Sequence, residues 1–125
     1  MVSAEASRYR PFSISVQRRD REVAIVVVGD LDLASAGRLE REVAQERAAG
    51  STRLVIDLGD VDFIDSTGLR ILLALRNDAK RNGHVLTLVP PPLTAQRIFT
   101  ITGTRALFDW EGDRPGRNVP RAQGG

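Results

Sequence analysis

Leu54-Val55-Ile56-Asp57-Leu58, then Gly59-Asp60-Val61-Asp62-Phe63-Ile64-Asp65, then Ser66-Thr67-Gly68-Leu69-Arg70-Ile71-Leu72-Leu73 follow one another without interruption. The first five residues are short, apolar and β-branched enough for a central strand. The aspartate-rich segment from Gly59 reads as the loop that follows it. From Ser66 the apolar residues Leu69, Ile71, Leu72, Leu73 and Leu75 start a helix to about Asn82. Arg76, Asp78, Lys80 and Arg81 give it a polar face, and Gly83 supplies its stop. Strand, acidic loop and helix make one unit of a parallel α/β sheet.

The same alternation extends on both sides. Upstream, Phe12 to Gln17 alternates apolar and polar residues as a strand with one wet face does, and Arg18 to Arg21 reads as a turn. Val23 to Val28 is nearly continuous and β-branched, a strand covered on both faces that pairs with the first as a hairpin. Asp32 is a candidate N-cap for a helix to about Ala49, with Ala36, Leu39 and Val43 on its apolar face and Gly50 as the stop. Downstream, Val85 to Val89 is a strand closed by Pro90-Pro91-Pro92. A helix from Leu93 to Thr102 follows, anchored by Ile98, Phe99 and Ile101, and Leu107 to Trp110 forms a last short strand. The expectation is one α/β domain over residues 11–112, a mixed and mostly parallel sheet of four to five strands flanked by helices, with an antiparallel first strand at or near an edge. Residues 1–10 are expected to form a flexible arm, and 113–125 a disordered tail.

Composition narrows the chemistry. The chain has 125 residues, 42% hydrophobic and 27% charged, with no cysteine and a single histidine, His84. Disulfides, thiol catalysis and histidine-rich metal sites are therefore excluded. No apolar run approaches the roughly 20 residues that span a bilayer, and the first residues lack the apolar core of a signal peptide, so a cytoplasmic protein is expected. The net charge of +2 is unevenly spread: residues 1–21 carry +3, residues 22–110 carry −2 and residues 111–125 carry +1. A slightly acidic domain with arginine-rich ends, lacking interleaved aromatics, points to a protein partner rather than nucleic acid.

In a parallel sheet the loops after the strands' C-terminal ends are the expected site. Two acidic loops lie there, Gly29-Asp30-Leu31-Asp32 and the segment from Gly59 to Leu69. If both leave the same sheet edge, Asp30, Asp32, Asp65 and Ser66 approach one another. Asp65 or Ser66 is suited to cap the second helix. In the alternative reading, Ser66 is an accessible hydroxyl at a strand–loop–helix junction. A phosphate there would meet free backbone N–H groups and the positive end of the helix dipole.

At these residues the chain resembles the anti-sigma factor antagonists of the STAS domain family. The match is carried by Leu54-Val55-Ile56-Asp57-Leu58 and Val61-Asp62-Phe63-Ile64-Asp65-Ser66-Thr67-Gly68-Leu69. Gly29-Asp30-Leu31-Asp32, Gly103 and Ala106-Leu107-Phe108 support it. The resemblance implies a phosphorylation-controlled partner switch in bacterial transcription and stress response. Its phosphoacceptor would be Ser66, with Thr67 as the alternative. Its partner surface would comprise Asp30, Asp32, Asp62, Asp65, Ser66, Thr67, Gly68, Leu69 and Arg70. The implied partners are an anti-sigma factor serine kinase, which supplies ATP and Mg²⁺, and a PP2C-type phosphatase. No cofactor, metal site or catalytic residue is implied for the chain itself. Many family members have glycine where this chain has Arg70, a cation in a first helical turn that either pairs with Asp62, a phosphate or a partner carboxylate or stays solvated.

Two other readings compete. A non-switching STAS scaffold or ligand sensor would use Ser66 only as a cap. A Mg²⁺-dependent aspartyl phosphohydrolase would use Asp30 and Asp32 after an apolar strand, but it needs a phosphate-holding lysine, and the only lysine is Lys80, near the far end of the second helix. A Ser-His-Asp hydrolase fails because the helix puts Ser66 and His84 roughly 25 Å apart. His84 is expected on the surface, and Trp110 and the phenylalanines in the core.

Overall fold

The computed structural model describes residues 10–112, so the expected arm up to Tyr9 and the expected tail from Asp113 lie outside the described residues. Nine elements follow in order. They are β1 (Ser13–Arg19), β2 (Glu22–Leu31), α1 (Ala36–Ala48), β3 (Arg53–Ile64), α2 (Ser66–Asn82), β4 (Val85–Val89), α3 (Leu93–Thr102), a short 3₁₀ turn (Arg105–Leu107) and β5 (Asp109–Trp110).

The five strands form one sheet in the order β1-β2-β3-β4-β5. β1 is antiparallel to β2 and lies at the edge, and every later pairing is parallel. Three parallel steps in one direction, each crossing right-handedly through a helix, bring all three helices to one sheet face. The core fills the space between. Val23, Ile25 and Val27 of β2, Leu54, Ile56 and Leu58 of β3, and Leu86 and Leu88 of β4 meet Leu39 and Val43 of α1, Leu69 and Leu72 of α2, and Phe99 of α3. Phe99, Phe108 and Trp110 pack edge to face with centroids 5.1–5.9 Å apart, tying α3 to β5.

α2 and α3 have the bounds that their apolar spacing and their glycines dictate. Gly83 and Gly103 adopt φ of 69° and 70°, the left-handed conformation that ends a helix cheaply only at glycine. Elsewhere the structure corrects the sequence reading. Arg18 and Arg19 belong to β1, and the hairpin turn is only Asp20-Arg21, because Arg19 pairs with Glu22. Asp20 takes the positive φ of 51° that such a turn needs, which an aspartate tolerates. The segment Gly59–Ile64 is strand rather than loop. Val28 pairs with Asp60, Gly29 with Val61, Asp30 with Phe63 and Leu31 with Ile64, with two register shifts on the way. Val61 and Ile64 go into the core while Asp60 and Asp62 stay outside.

Asp32 does not cap α1. The helix begins four residues later, and its N-cap Ser35 makes no side-chain capping bond. Asp32 organises the preceding turn instead, accepting from the Ala34 N–H at its Oδ1 (3.0 Å) and from the Ala36 N–H at its carbonyl (2.8 Å). Ile101, expected as an anchor, is 74% exposed, and Phe63 is 52% exposed. His84 is half-buried rather than superficial.

Candidate functional site

The C-terminal ends of β2 and β3 lie side by side, so the two acidic segments meet as the sequence requires. Asp65 is the joint between them. Its backbone is extended (φ −98°, ψ −175°), which lets Oδ1 accept from the Gly68 N–H at 2.9 Å and so cap α2. Its Oδ2 accepts from the Leu33 N–H at 3.2 Å, and its own N–H donates to the Leu31 carbonyl at 3.2 Å. One aspartate thus fixes the start of α2 and fastens it to the segment after β2.

Gly68 makes that fastening tight. A Cβ at this position would collide with the Leu31 carbonyl oxygen, so the first turn of α2 lies directly on the end of β2. Gly68 and Leu69 are buried, Leu69 in the core, and Thr67 is half-buried. Ser66 is exposed, and its hydroxyl makes no hydrogen bond among the described residues. The choice between Asp65 and Ser66 as cap therefore falls to Asp65.

Around this turn lie the other acidic residues. Asp30 is exposed at the end of β2, with Asp32 half-buried beyond it. Partial burial, with Asp32 and Asp62 adding like charge, holds the Asp30 carboxyl above its ordinary range. Asp62 is paired with Arg10 (2.5 Å), which also reaches Asp60 (3.4 Å), and Arg70 makes no ion pair among the described residues. Arg10 is thus docked rather than part of a free arm. Its carbonyl passes so close to Gly29, at φ 95°, that a Cβ there would come within 2.9 Å. Local sequence gave no sign of this. The topology did: an antiparallel β1 must begin where β2 ends, which delivers Arg10 to the acidic edge.

A second feature escaped the sequence reading. Beyond Asp57 the strand β3 has no partner in β4, and α3 lies along that side. Between them is a largely apolar cavity of about 330 Å³, lined by Phe63, Ile64, Asp65, Ile98 and Ile101. It opens beside the start of α2, with the exposed Leu33 on the other side of Asp65. An aromatic residue set between aspartates was the available signal.

Among the described residues no group of three or more acidic or histidine side chains is placed to hold a metal ion. Lys80 sits in the last turn of α2, about 21 Å along the helix from Ser66 and so away from Asp30 and Asp32. No described helix is long and apolar enough to cross a membrane.

The strand–turn–helix built around Asp65 lies within a longer match, because the sequence pattern of the STAS domain covers residues 13–117. The chain belongs to the STAS domain family. Curated relatives of this STAS domain include an anti-sigma-B factor antagonist of Bacillus subtilis, 28% identical over 97 residues, 78% of this chain and 88% of that protein. The anti-sigma-F factor antagonist RsfB of Mycobacterium tuberculosis is 42% identical over 66 residues, covering 51% of this chain and 54% of RsfB. Among solved structures, an anti-sigma factor antagonist from Mycobacterium paratuberculosis superposes with a TM-score of 0.70 at 23% identity, over 90% of this chain and 95% of that one. That likeness establishes the shared STAS fold.

Proposed function

We propose that this STAS domain is a cytoplasmic anti-sigma factor antagonist whose grip on its partner is released by phosphorylation of Ser66. Unphosphorylated, it binds an anti-sigma factor and frees the sigma factor that the partner would hold. The anti-sigma factor is itself the serine kinase, using its own ATP and Mg²⁺, and a PP2C-type phosphatase restores the hydroxyl. The relatives named as anti-sigma factor antagonists support the first part of this reading.

One observation carries the second part. Ser66 opens α2 with its hydroxyl exposed and without a hydrogen bond among the described residues, while capping is done by the residue before it. A kinase can reach that oxygen without dismantling the helix start. The phosphate adds roughly −1.5 to −2 charge. It lands where Asp30, Asp32, Asp62 and Asp65 already concentrate negative charge, and where the dipole of α2 favours an anion. Arg70, four residues on and on the same helix face, is the available counter-ion. The fold stays as it is and the surface potential changes sharply. Asp30, Asp32, Asp62, Thr67 and Arg70 form the polar part of the contact, Gly68 and Leu69 set its shape from beneath, and Phe63 and Ile101 add an apolar part.

The test is incubation with the cognate anti-sigma kinase and ATP, read by intact mass. One phosphate should appear on the wild type and none on Ser66→Ala. Undiminished labelling of Ser66→Ala would overturn the assignment and direct attention to Thr67. Ser66→Asp should lose kinase binding at an unchanged melting temperature.

A further inference from the structure

The pole of the molecule opposite Ser66 is built quite differently. α2 ends there, β4 begins there, and the 3₁₀ turn and β5 close the side. They enclose a cavity of about 370 Å³ whose lining includes Arg76, Lys80, His84, Leu107 and Asp109. That volume lies in the range of small-molecule sites, and its lining is cationic. Arg76 and Lys80, one turn apart on α2, share a helix face. Asp109 is the only carboxylate on the wall among the described residues.

Two donors on this wall are left over, and one of them is held in place. The Arg76 Nε donates to the Leu107 carbonyl at 2.8 Å, and its Nη1 donates to Asn77 Oδ1 at 2.8 Å. These bonds fix the guanidinium plane and leave Nη2 with no partner among the described residues. Lys80 is exposed and makes no ion pair among the described residues. His84 lines the same wall, but its Nδ1 is buried away from the cavity surface and has no hydrogen-bond partner among the described residues, so the ring reports on the cavity rather than donating into it. Nothing in the reading of Ser66 uses any of the three. A tetrahedral oxyanion has enough acceptor oxygens to meet donors that arrive from separate side chains, and guanidinium and ammonium groups are its usual ligands.

We infer that the cavity between the end of α2, β4 and β5 is a binding site for a phosphate-class oxyanion, held by Arg76 and Lys80 beside the His84 ring. Lys80 lies about 21 Å along α2 from Ser66, so the site and the partner surface can be occupied together. An occupant would join the end of α2 to the 3₁₀ turn and β5, which otherwise meet here through the Arg76 bond to Leu107.

The single histidine makes the test direct, because its imidazole C2–H gives one NMR signal in the full chain. Titration with inorganic phosphate, and in parallel with glycerol 1-phosphate, at fixed pH and ionic strength should shift that signal saturably. Equal or tighter binding of the ester would assign a phosphate monoester, and binding of the inorganic ion alone would assign free phosphate. Lys80→Ala should weaken binding at least about tenfold, the scale of one charge-assisted hydrogen bond. Asp109→Asn, which removes the opposing carboxylate, should tighten it. Arg81→Ala removes a neighbouring cation whose ion pair is with Asp78, outside the cavity lining, and should leave binding unchanged. A signal that does not move with either probe overturns the proposal. So does a loss in Arg81→Ala equal to that in Lys80→Ala, which would mean a diffuse basic surface.

Discussion

Two strand-to-helix junctions stand side by side at one edge of this sheet, each with an aspartate and a serine, and they use the same pair in opposite ways. At the β2–α1 junction Asp32 precedes Ser35 by three residues. Ser35 is only 5% exposed, and its hydroxyl donates to the Asp30 carbonyl at 2.6 Å and accepts from the Asp32 N–H at 3.0 Å. At the β3–α2 junction Asp65 stands directly before Ser66. Its extended backbone swings the carboxylate onto the helix N-terminus, whereas Ser35 in the equivalent cap position is already near-helical (φ −114°, ψ −21°) and cannot cap. Spacing and one backbone conformation thus decide which serine is buried in the turn and which stays exposed.

Variants can break this contrast, and the largest effect belongs to the shared floor of the second junction. Gly68→Ala drives a Cβ against the Leu31 carbonyl and should destabilise by about 1–3 kcal/mol in urea unfolding; an unchanged midpoint would show that the two junctions are not pressed together. Asp65→Ala removes the cap and the bond to the Leu33 N–H, and about 1–2 kcal/mol should go with them. The two serines come next. Ser35→Ala should lose about 1 kcal/mol, since it leaves the Asp32 N–H without its partner, while Ser66→Ala should stay within about 0.5 kcal/mol of wild type. Equal losses would erase the distinction.

The smallest effect is electrostatic. Burial and the neighbouring Asp32 and Asp62 raise the Asp30 carboxyl, so the native state holds that proton more tightly than the unfolded chain does. The charged form therefore costs stability above the native titration and ceases to cost it below. Asp30→Asn should gain a few tenths of a kcal/mol at neutral pH. The gain should shrink as the pH falls through the native carboxyl's raised range, where the wild type protonates. A gain that persists in acid would mean that the like charges are not its source.

Local sequence revealed what local physics controls. Leu69 and Leu72 at helical spacing, closed by Gly83, mark α2, and the Asp65-Ser66 step marks its start. The extension of β3 was hidden because its register shifts break the strict alternation of Asp60, Val61, Asp62 and Ile64. Asp32 looked like a cap because residue type alone does not reveal a turn inserted before the helix. Arg10 could not be read locally at all, since its partners Asp60 and Asp62 lie some fifty residues away and are reached only through the hairpin. At the site, the identity of the exposed serine was legible. Its apolar neighbours Phe63 and Ile101 were not, because their exposure depends on how far β3 outruns β4.

The strand order β1-β2-β3-β4-β5 repeats the order of synthesis. Each new strand finds its partner in the strand just before it, so the chain need not retain an unpaired edge while waiting for a distant segment. The two serine junctions, from Asp30 to Leu69, occupy about forty consecutive residues. A nascent chain therefore carries both serine junctions before β4, α3 and β5, and with them Ile101, have left the ribosome.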